Sequence, residues 1–265
     1  MLNNIIPRLP LLNKLCWVQT LIVENKLQPK TNLSCSIIIP AYNEADNIEE
    51  CIRRIPKFKT DYEIIVIDDG STDATPLILE RLQKEIPNLR KERAATNSGK
   101  AYAVQEGIRL ATKEVIIILD ADMSVLPEDL TLFVEPLERN IVSFVNGTRL
   151  IYNMEKNAMD QLKHIANFLL AVFFSLILRY RITDTLCGTK AFFRKDFQDI
   201  NISEERWGDL TLIWAAKRKG LKIGEVPVRY YARKSGKSKM KFLKDGFRFI
   251  RYVIKVAITE SWKTS

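Results

Sequence analysis

From Ser34 onward the chain alternates short, continuously apolar runs with longer stretches in which apolar residues recur every three or four positions. SIII at 36–39, EIIVID at 63–68 and VIIIL at 115–119 carry almost no polar face, as strands covered on both sides require. Between them Ile48, Cys51, Ile52 and Ile55 fall at helical spacing within 46–55, and Val104, Ile108 and Ala111 do so within 100–112. Asp73 stands where a helix N-cap belongs, with Pro76 in the first turn. Pro127 opens a helix carrying Leu130, Phe133, Val134 and Leu137. A weaker strand falls at 89–94, and EVPV at 225–228 reads as a late one. The alternation predicts an α/β fold with a Rossmann-like, mainly parallel sheet flanked by helices. Residues 1–33, punctuated by Pro7, Pro10 and Pro29, stand outside the pattern and read as an arm or linker remnant. The domain proper is expected at 34–241, with a basic amphipathic helix at 242–265.

Two apolar stretches do not fit the sheet. Ile165 to Leu178 is a fourteen-residue run, short of the about 20 residues of a spanning helix, and reads either as a core helix or as one lying in a membrane interface. At 247–258, Phe247, Ile250, Ile254 and Ile258 form a helical stripe beside Val253 and Ala257, interrupted by Arg248, Arg251 and Lys255. That stripe packs either on the domain's own core or on a membrane surface.

Charge sharpens this picture. The 265 residues carry a net +9, but Arg233 to Ser265 holds ten bases against two acids, leaving +1 for the rest. A basic tail on a near-neutral fold argues against nucleic acid and for phosphates or an anionic membrane surface. The four cysteines, Cys16, Cys35, Cys51 and Cys187, are scattered, and His164 is the only histidine, so neither a zinc site nor a His-based nucleophile is expected. The opening MLNNIIPRLPLLNKLC has no cationic head before a continuous apolar stretch, so the expected compartment is the cytoplasm.

Polar sequences sit where the strands end, which is where ligands bind in such sheets. PAYNE (40–44) offers Tyr42 for stacking on a base and Asn43 and Glu44 for hydrogen bonds. DDGSTD (68–73) places Asp69 before Gly70, which lets backbone approach a ligand. In DAD (120–122) two carboxylates flank Ala121 and suit a hard divalent cation held with a diphosphate. Singly, each is also a turn or a helix cap; together, in this order, they are more specific.

With this trio the chain resembles the family-two glycosyltransferases of the GT-A fold, and among them the polyprenyl-phosphate sugar synthases such as the dolichyl-phosphate mannosyl- and glucosyltransferases. The resemblance spans about 35–241. It implies that Pro40, Tyr42 and Glu44, flanking the donor-binding candidate Asn43, form the base and ribose pocket, and that Asp69, beside Gly70, reads the nucleobase edge. Asn97 and Lys100 of NSGKAYA then flank the donor, although the family's second glycine is Ala101 here. Asp120 and Asp122 match the metal-and-diphosphate motif, with Mg²⁺ or Mn²⁺ as cofactor and Ser124 as a further polar metal contact. Arg149 of NGTR, with Asp184 and Gly188 of DTLCGTKAFFR, lies toward the acceptor. RKSGKSKMK (233–241) is a solvated basic loop or, as the resemblance implies, a loop over the diphosphate with Arg233, Ser238 and Lys239 in contact.

One segment departs from the family pattern. WGDLTL (207–212) leaves Asp209 alone where many relatives have an acidic pair that serves as general base. Asp209 is then a base or a helix N-cap. A phosphate acceptor, with a second pKa near about 6, needs no base, whereas a hydroxyl does. The expected activity is inverting, metal-dependent sugar transfer from a UDP- or GDP-linked donor to a polyprenyl (dolichyl or undecaprenyl) phosphate, by an enzyme held peripherally at the inner face of the membrane. Transfer to a hydroxyl of a lipopolysaccharide or cell-wall glycan, and a non-catalytic nucleotide-sugar or lipid-binding module, are the alternatives.

Overall fold

The computed structural model describes residues 30, 32–152, 160–202, 206–235, 239–240 and 242–261. Most of the expected arm at 1–33 therefore lies outside the described residues, as does Ser238. Seven strands form one sheet: β1 (Cys35–Ala41), β2 (Tyr62–Asp68), β3 (Leu89–Arg93), β4 (Val115–Ile118), β5 (Phe144–Thr148), β6 (Lys190–Phe193) and β7 (Ile223–Pro227). Their order is β3-β2-β1-β4-β6-β5-β7. β1 pairs in parallel with β2 and β4, β2 with β3, and β5 with β7. β6 alone runs antiparallel, between β4 and β5.

Alternate residues of the central strands feed two cores. Ile37, Ile39, Val66 and Ile117 face α1 (Ile48–Arg53), α2 (Thr75–Glu85) and α4 (Leu130–Glu138). Ile38, Ile65, Ile67 and Ile118 face α3 (Lys100–Leu110), α5 (Gln161–Leu178), α6 (Asp209–Arg218) and α7 (Phe242–Ser261). Both faces are buried, which is why these strands read as unbroken apolar runs. Because β2 and β4 lie on opposite sides of β1, the chain leaves the carboxyl ends of β1 and β4 in diverging directions and opens a crevice there.

Three expectations are corrected. The N-cap of α2 is Ala74, one residue beyond Asp73; the Asp73 carboxylate still accepts from the Thr75 amide at 2.9 Å. Asp209 is not an N-cap either: Gly208, at φ +79°, precedes the helix and Asp209 is its first residue. α5 is 18 residues long, because Gln161–His164 join the apolar run, and its mean hydropathy is 1.6. Length no longer sets it apart from a spanning helix, for which about 17–25 residues serve. Its packing is nonetheless one-sided: Asn167, Ala171, Phe174 and Leu178 turn inward on the domain, while Leu162, Ile165, Leu169, Val172, Phe173 and Leu176 are exposed.

For α7 the structure decides between the two packings that the sequence left open. Its stripe of Phe247, Ile250, Ile254 and Ile258 does not pack on the core but stays 48–71% exposed. A second apolar face, Phe249, Tyr252, Val253 and Val256, is the buried one. α5 and α7 pack against each other, so two outward apolar faces are borne by neighbouring helices.

Candidate active site

The crevice deepens into a cavity of about 610 Å³. The strand ends place the residues expected to hold the donor around it: Pro40 near the end of β1 with Tyr42 and Glu44 after it, Asp69 after β2, and Asp120, Ala121, Asp122 and Ser124 after β4. Asn97 and Lys100 line it from the start of α3. Asn43 and Gly70 do not line it. Asn43, at φ +50°, accepts from the Thr72 amide at 2.8 Å and so ties the two loops together. Gly70 passes beneath the loop at 94–99, where a Cβ would stand 2.8 Å from the Thr96 carbonyl carbon. Asp69 accepts from the amides of Ser98 at 2.8 Å and Gly99 at 2.7 Å, fixing the entry to α3. Burial nevertheless leaves its carboxyl above the usual value.

The acids of the cavity already hold cations. Lys100 Nζ lies 2.7 Å from Asp120 Oδ1, and Arg233 Nη2 lies 2.7 Å from Asp122 Oδ2. Lys239 pairs with Glu44, touches the Tyr42 carbonyl, and stands 5.4 Å from the Tyr42 ring centre. Burial pushes the Asp120 carboxyl up, but the charge and hydrogen bond of Lys100 outweigh it and hold the group below its ordinary range. Asp120 and Asp122 provide hard oxygen ligands suited to Mg²⁺ or Mn²⁺. Ser124 Oγ lies 2.6 Å from Asp122 Oδ1, so it orients that carboxylate. Among the described residues no group of three or more His, Cys, Asp or Glu forms a self-sufficient metal site. A cation here would need further oxygens from a bound ligand.

Asp209 sits between two ammonium groups. Its Oδ1 accepts from Lys190 Nζ at 2.9 Å and its Oδ2 faces Lys100 Nζ at 3.8 Å. Lys190 is fully buried in β6, so Asp209 is the counter-charge that makes that burial tolerable. Gly188 belongs beside this network, because a Cβ there would fall 2.0 Å from Asp120 Oδ2 and 2.4 Å from Lys100 Nζ.

Of the residues expected toward the acceptor, Arg149 lines the cavity and Asp184 lies behind it, fully buried. Arg149 Nε and Nη2 reach the two Asp184 oxygens at 2.7 and 2.8 Å, and the guanidinium carbon lies 4.9 Å from the Tyr230 ring centre. Apolar residues, Leu170, Phe249 and Ile250, with Gly246 and Met240, also line the cavity.

Sequence reasoning missed Lys190, Asn167 and Tyr230 as parts of this site, and Arg206 and Trp207 as cavity wall. Lys190 stood inside the DTLCGTKAFFR motif and could have been taken from it. The others act through contacts with residues distant in sequence, as Asn167 does with Asp184, and no local pattern marks them.

Residues 36–200 match the profile of Glycosyl transferase family 2. The chain is 29% identical over 229 residues to the dolichyl-phosphate beta-glucosyltransferase of Dictyostelium discoideum, covering 79% of this chain and 69% of that protein. It is 27% identical over 218 residues to the dodecaprenyl-phosphate galacturonate synthase of Rhizobium johnstonii, covering 80% and 63%. In fold it is similar to the glucosyl-3-phosphoglycerate synthase of Mycobacterium tuberculosis solved with Mn²⁺, UDP and glucosyl-3-phosphoglycerate, at a TM-score of 0.62 and 20% identity over 87% of this chain and 81% of that one. A sheet that gathers its acids at the ends of β1, β2 and β4, and a profile match covering most of the chain, lead to one assignment: this protein belongs to glycosyl transferase family 2 and is a glycosyltransferase of GT-A architecture.

Proposed function

We propose that the enzyme transfers a sugar, with inversion, from a UDP- or GDP-linked donor to a polyprenyl phosphate, dolichyl or undecaprenyl, at a membrane surface. The observation that carries this reading is the lining of the cavity. Glu44, Asp69, Asp120 and Asp122 are among its polar residues, Arg149 stands in its wall, and Leu170 of α5 with Phe249 and Ile250 of α7 add apolar wall. The acids with a cation suit a nucleoside diphosphate, the arginine a phosphomonoester, and the apolar wall a hydrocarbon chain. The two relatives named above, whose names specify different sugars, share a lipid-phosphate acceptor.

In the reaction an acceptor phosphate oxygen attacks the anomeric carbon from the face opposite the diphosphate. A new C–O bond forms as the bond to the diphosphate breaks, and the nucleoside diphosphate leaves with the electron pair. Lys100, Arg233 and Lys239 can exchange their carboxylate partners for phosphate oxygens and so stabilise the charge that develops. Asp120 and Asp122 would hold Mg²⁺ or Mn²⁺, which supplies the remaining charge neutralisation on the leaving group. No base is required. A phosphate with a second pKa near about 6 is already ionised at neutral pH, and Asp209 has its oxygens engaged by Lys190 and Lys100.

The outward apolar faces of α5 and α7 and the +8 tail give the enzyme a peripheral seat on an anionic inner leaflet, each Lys or Arg near the surface adding about 1 kcal/mol. The test combines two measurements on the full chain. Radiolabelled UDP- and GDP-sugars are screened for transfer into polyprenyl phosphate with and without EDTA, and the protein is floated with phosphatidylglycerol vesicles at low and high salt. Transfer that EDTA abolishes and flotation that salt reverses are expected. Transfer to a free sugar but to no polyprenyl phosphate, or protein that stays unbound at low salt, would overturn the reading.

A further inference from the structure

Asn167 lies on α5 opposite its exposed apolar face, is only 4% exposed and lines the cavity. Its Nδ2 donates to Asp184 Oδ1 at 2.9 Å. The same oxygen accepts from Arg149 Nη2 at 2.8 Å and the Leu186 amide at 3.1 Å. Asp184 Oδ2 accepts from Arg149 Nε at 2.7 Å and from the Arg149 amide at 3.1 Å. Asp184 is thereby clamped from three directions: the end of β5, the loop before β6, and α5. Arg149 commits Nε and Nη2 to Asp184 and lays its plane near Tyr230, so the orientation of Asp184 sets the direction in which the guanidinium meets a ligand. Of the donors to Asp184, Asn167 alone comes from a helix with an outward apolar face. Its own Oδ1 is buried and has no hydrogen-bond partner among the described residues. A site normally sheds such a cost unless the amide is needed where it is.

We propose that Asn167 is a positioning residue for the acceptor phosphate: from α5 it fixes Asp184, and through Asp184 it aims Arg149. The inference rests on the polyprenyl-phosphate reading above and adds to it a link from the lipid-facing helix to the anion site. Any shift of α5 is passed by one hydrogen bond to Asp184 and from there to Arg149.

The test uses the full chain with dolichyl phosphate in phosphatidylglycerol vesicles and the nucleotide-sugar that supports transfer. Asn167→Ala should raise the acceptor KM about tenfold, as loss of a hydrogen bond to a buried charge does, while kcat and the donor KM stay as in wild type. Asn167→Asp, which keeps the shape but sets a carboxylate against Asp184, should raise it at least as far. Asn167→Gln, which keeps a donor, should recover part of the loss. Thermal unfolding and binding of UDP or GDP, measured alongside, report whether the domain is intact. An unchanged acceptor KM in both Asn167→Ala and Asn167→Asp overturns the proposal, as does a fall in kcat and nucleotide affinity matching the change in acceptor KM, the mark of a packing role. If wild type transfers to no polyprenyl phosphate, the functional reading fails and this inference with it. If wild type transfers and the variants equal it, this inference alone fails.

Discussion

Two residues of the site are held in place by what surrounds them, and each yields a measurable consequence. Gly188 stands so close to the Lys100–Asp120 pair that a methyl group would land 2.0 Å from Asp120 Oδ2 and 2.4 Å from Lys100 Nζ. Gly188→Ala must push the pair apart, and the initial transfer rate should fall about a hundredfold, the scale of losing one preorganised charge contact. A rate equal to wild type would show that the pair has room to yield. Asp184 answers to pH. Burial would raise its carboxyl, but the charge and paired hydrogen bonds of Arg149, helped by Asn167, hold it down to about 2 from 3.8. The unfolded chain therefore takes up the proton first as pH falls. The pair's contribution, about 2 kcal/mol, is complete above roughly pH 4 and is lost as pH drops through about 2. Asp184→Asn should abolish that acid limb in urea unfolding. At neutral pH it should cost about 3–5 kcal/mol, because Arg149 is left buried without its counter-charge.

The elements differ in how plainly the sequence announces them. β1, β2 and β4 are legible because both their faces are buried and nothing polar interrupts them. β6 is not, because KAFF begins with Lys190, and a buried lysine in a strand makes sense only once Asp209, nineteen residues later, is known to face it. The strand-end acids were legible for the same reason as their strands. Asn167 and Tyr230 were not, since each earns its place through contacts made across the fold. Periodicity found the outer stripe of α7 but could not say which side it faced, because the helix carries two apolar faces and only packing chooses between them. The two faces should separate cleanly on mutation. Val256→Ala, on the buried face, should cost about 2 kcal/mol of stability with vesicle binding retained. Ile254→Glu, on the exposed face, should leave stability within about 0.5 kcal/mol and weaken flotation with anionic vesicles. If Ile254→Glu unfolds the domain instead, that stripe belongs to the core after all.

At the scale of the molecule, charge is balanced in the wall of the cavity. Among the described residues the cavity wall holds six carboxylates and six basic side chains. An incoming diphosphate therefore upsets an even balance unless a cation enters with it. The excess of basicity lies in the stretch from Arg233 onward, from which Arg233 and Lys239 reach the cavity wall. On the proposed reading the exposed apolar faces of α5 and α7 seat the enzyme on a bilayer, and that changes the dimensionality of the problem. An enzyme seated on a bilayer meets a lipid acceptor by searching a plane, so the quantity that governs encounter is the acceptor's mole fraction in that plane, not its amount per litre. Diluting polyprenyl phosphate with inert lipid at fixed total acceptor should therefore slow the reaction, whereas diluting the whole vesicle suspension, once the enzyme is fully bound, should not. A rate that follows bulk concentration alone would mean that the enzyme takes its acceptor from solution and that the outward faces of α5 and α7 serve some other contact.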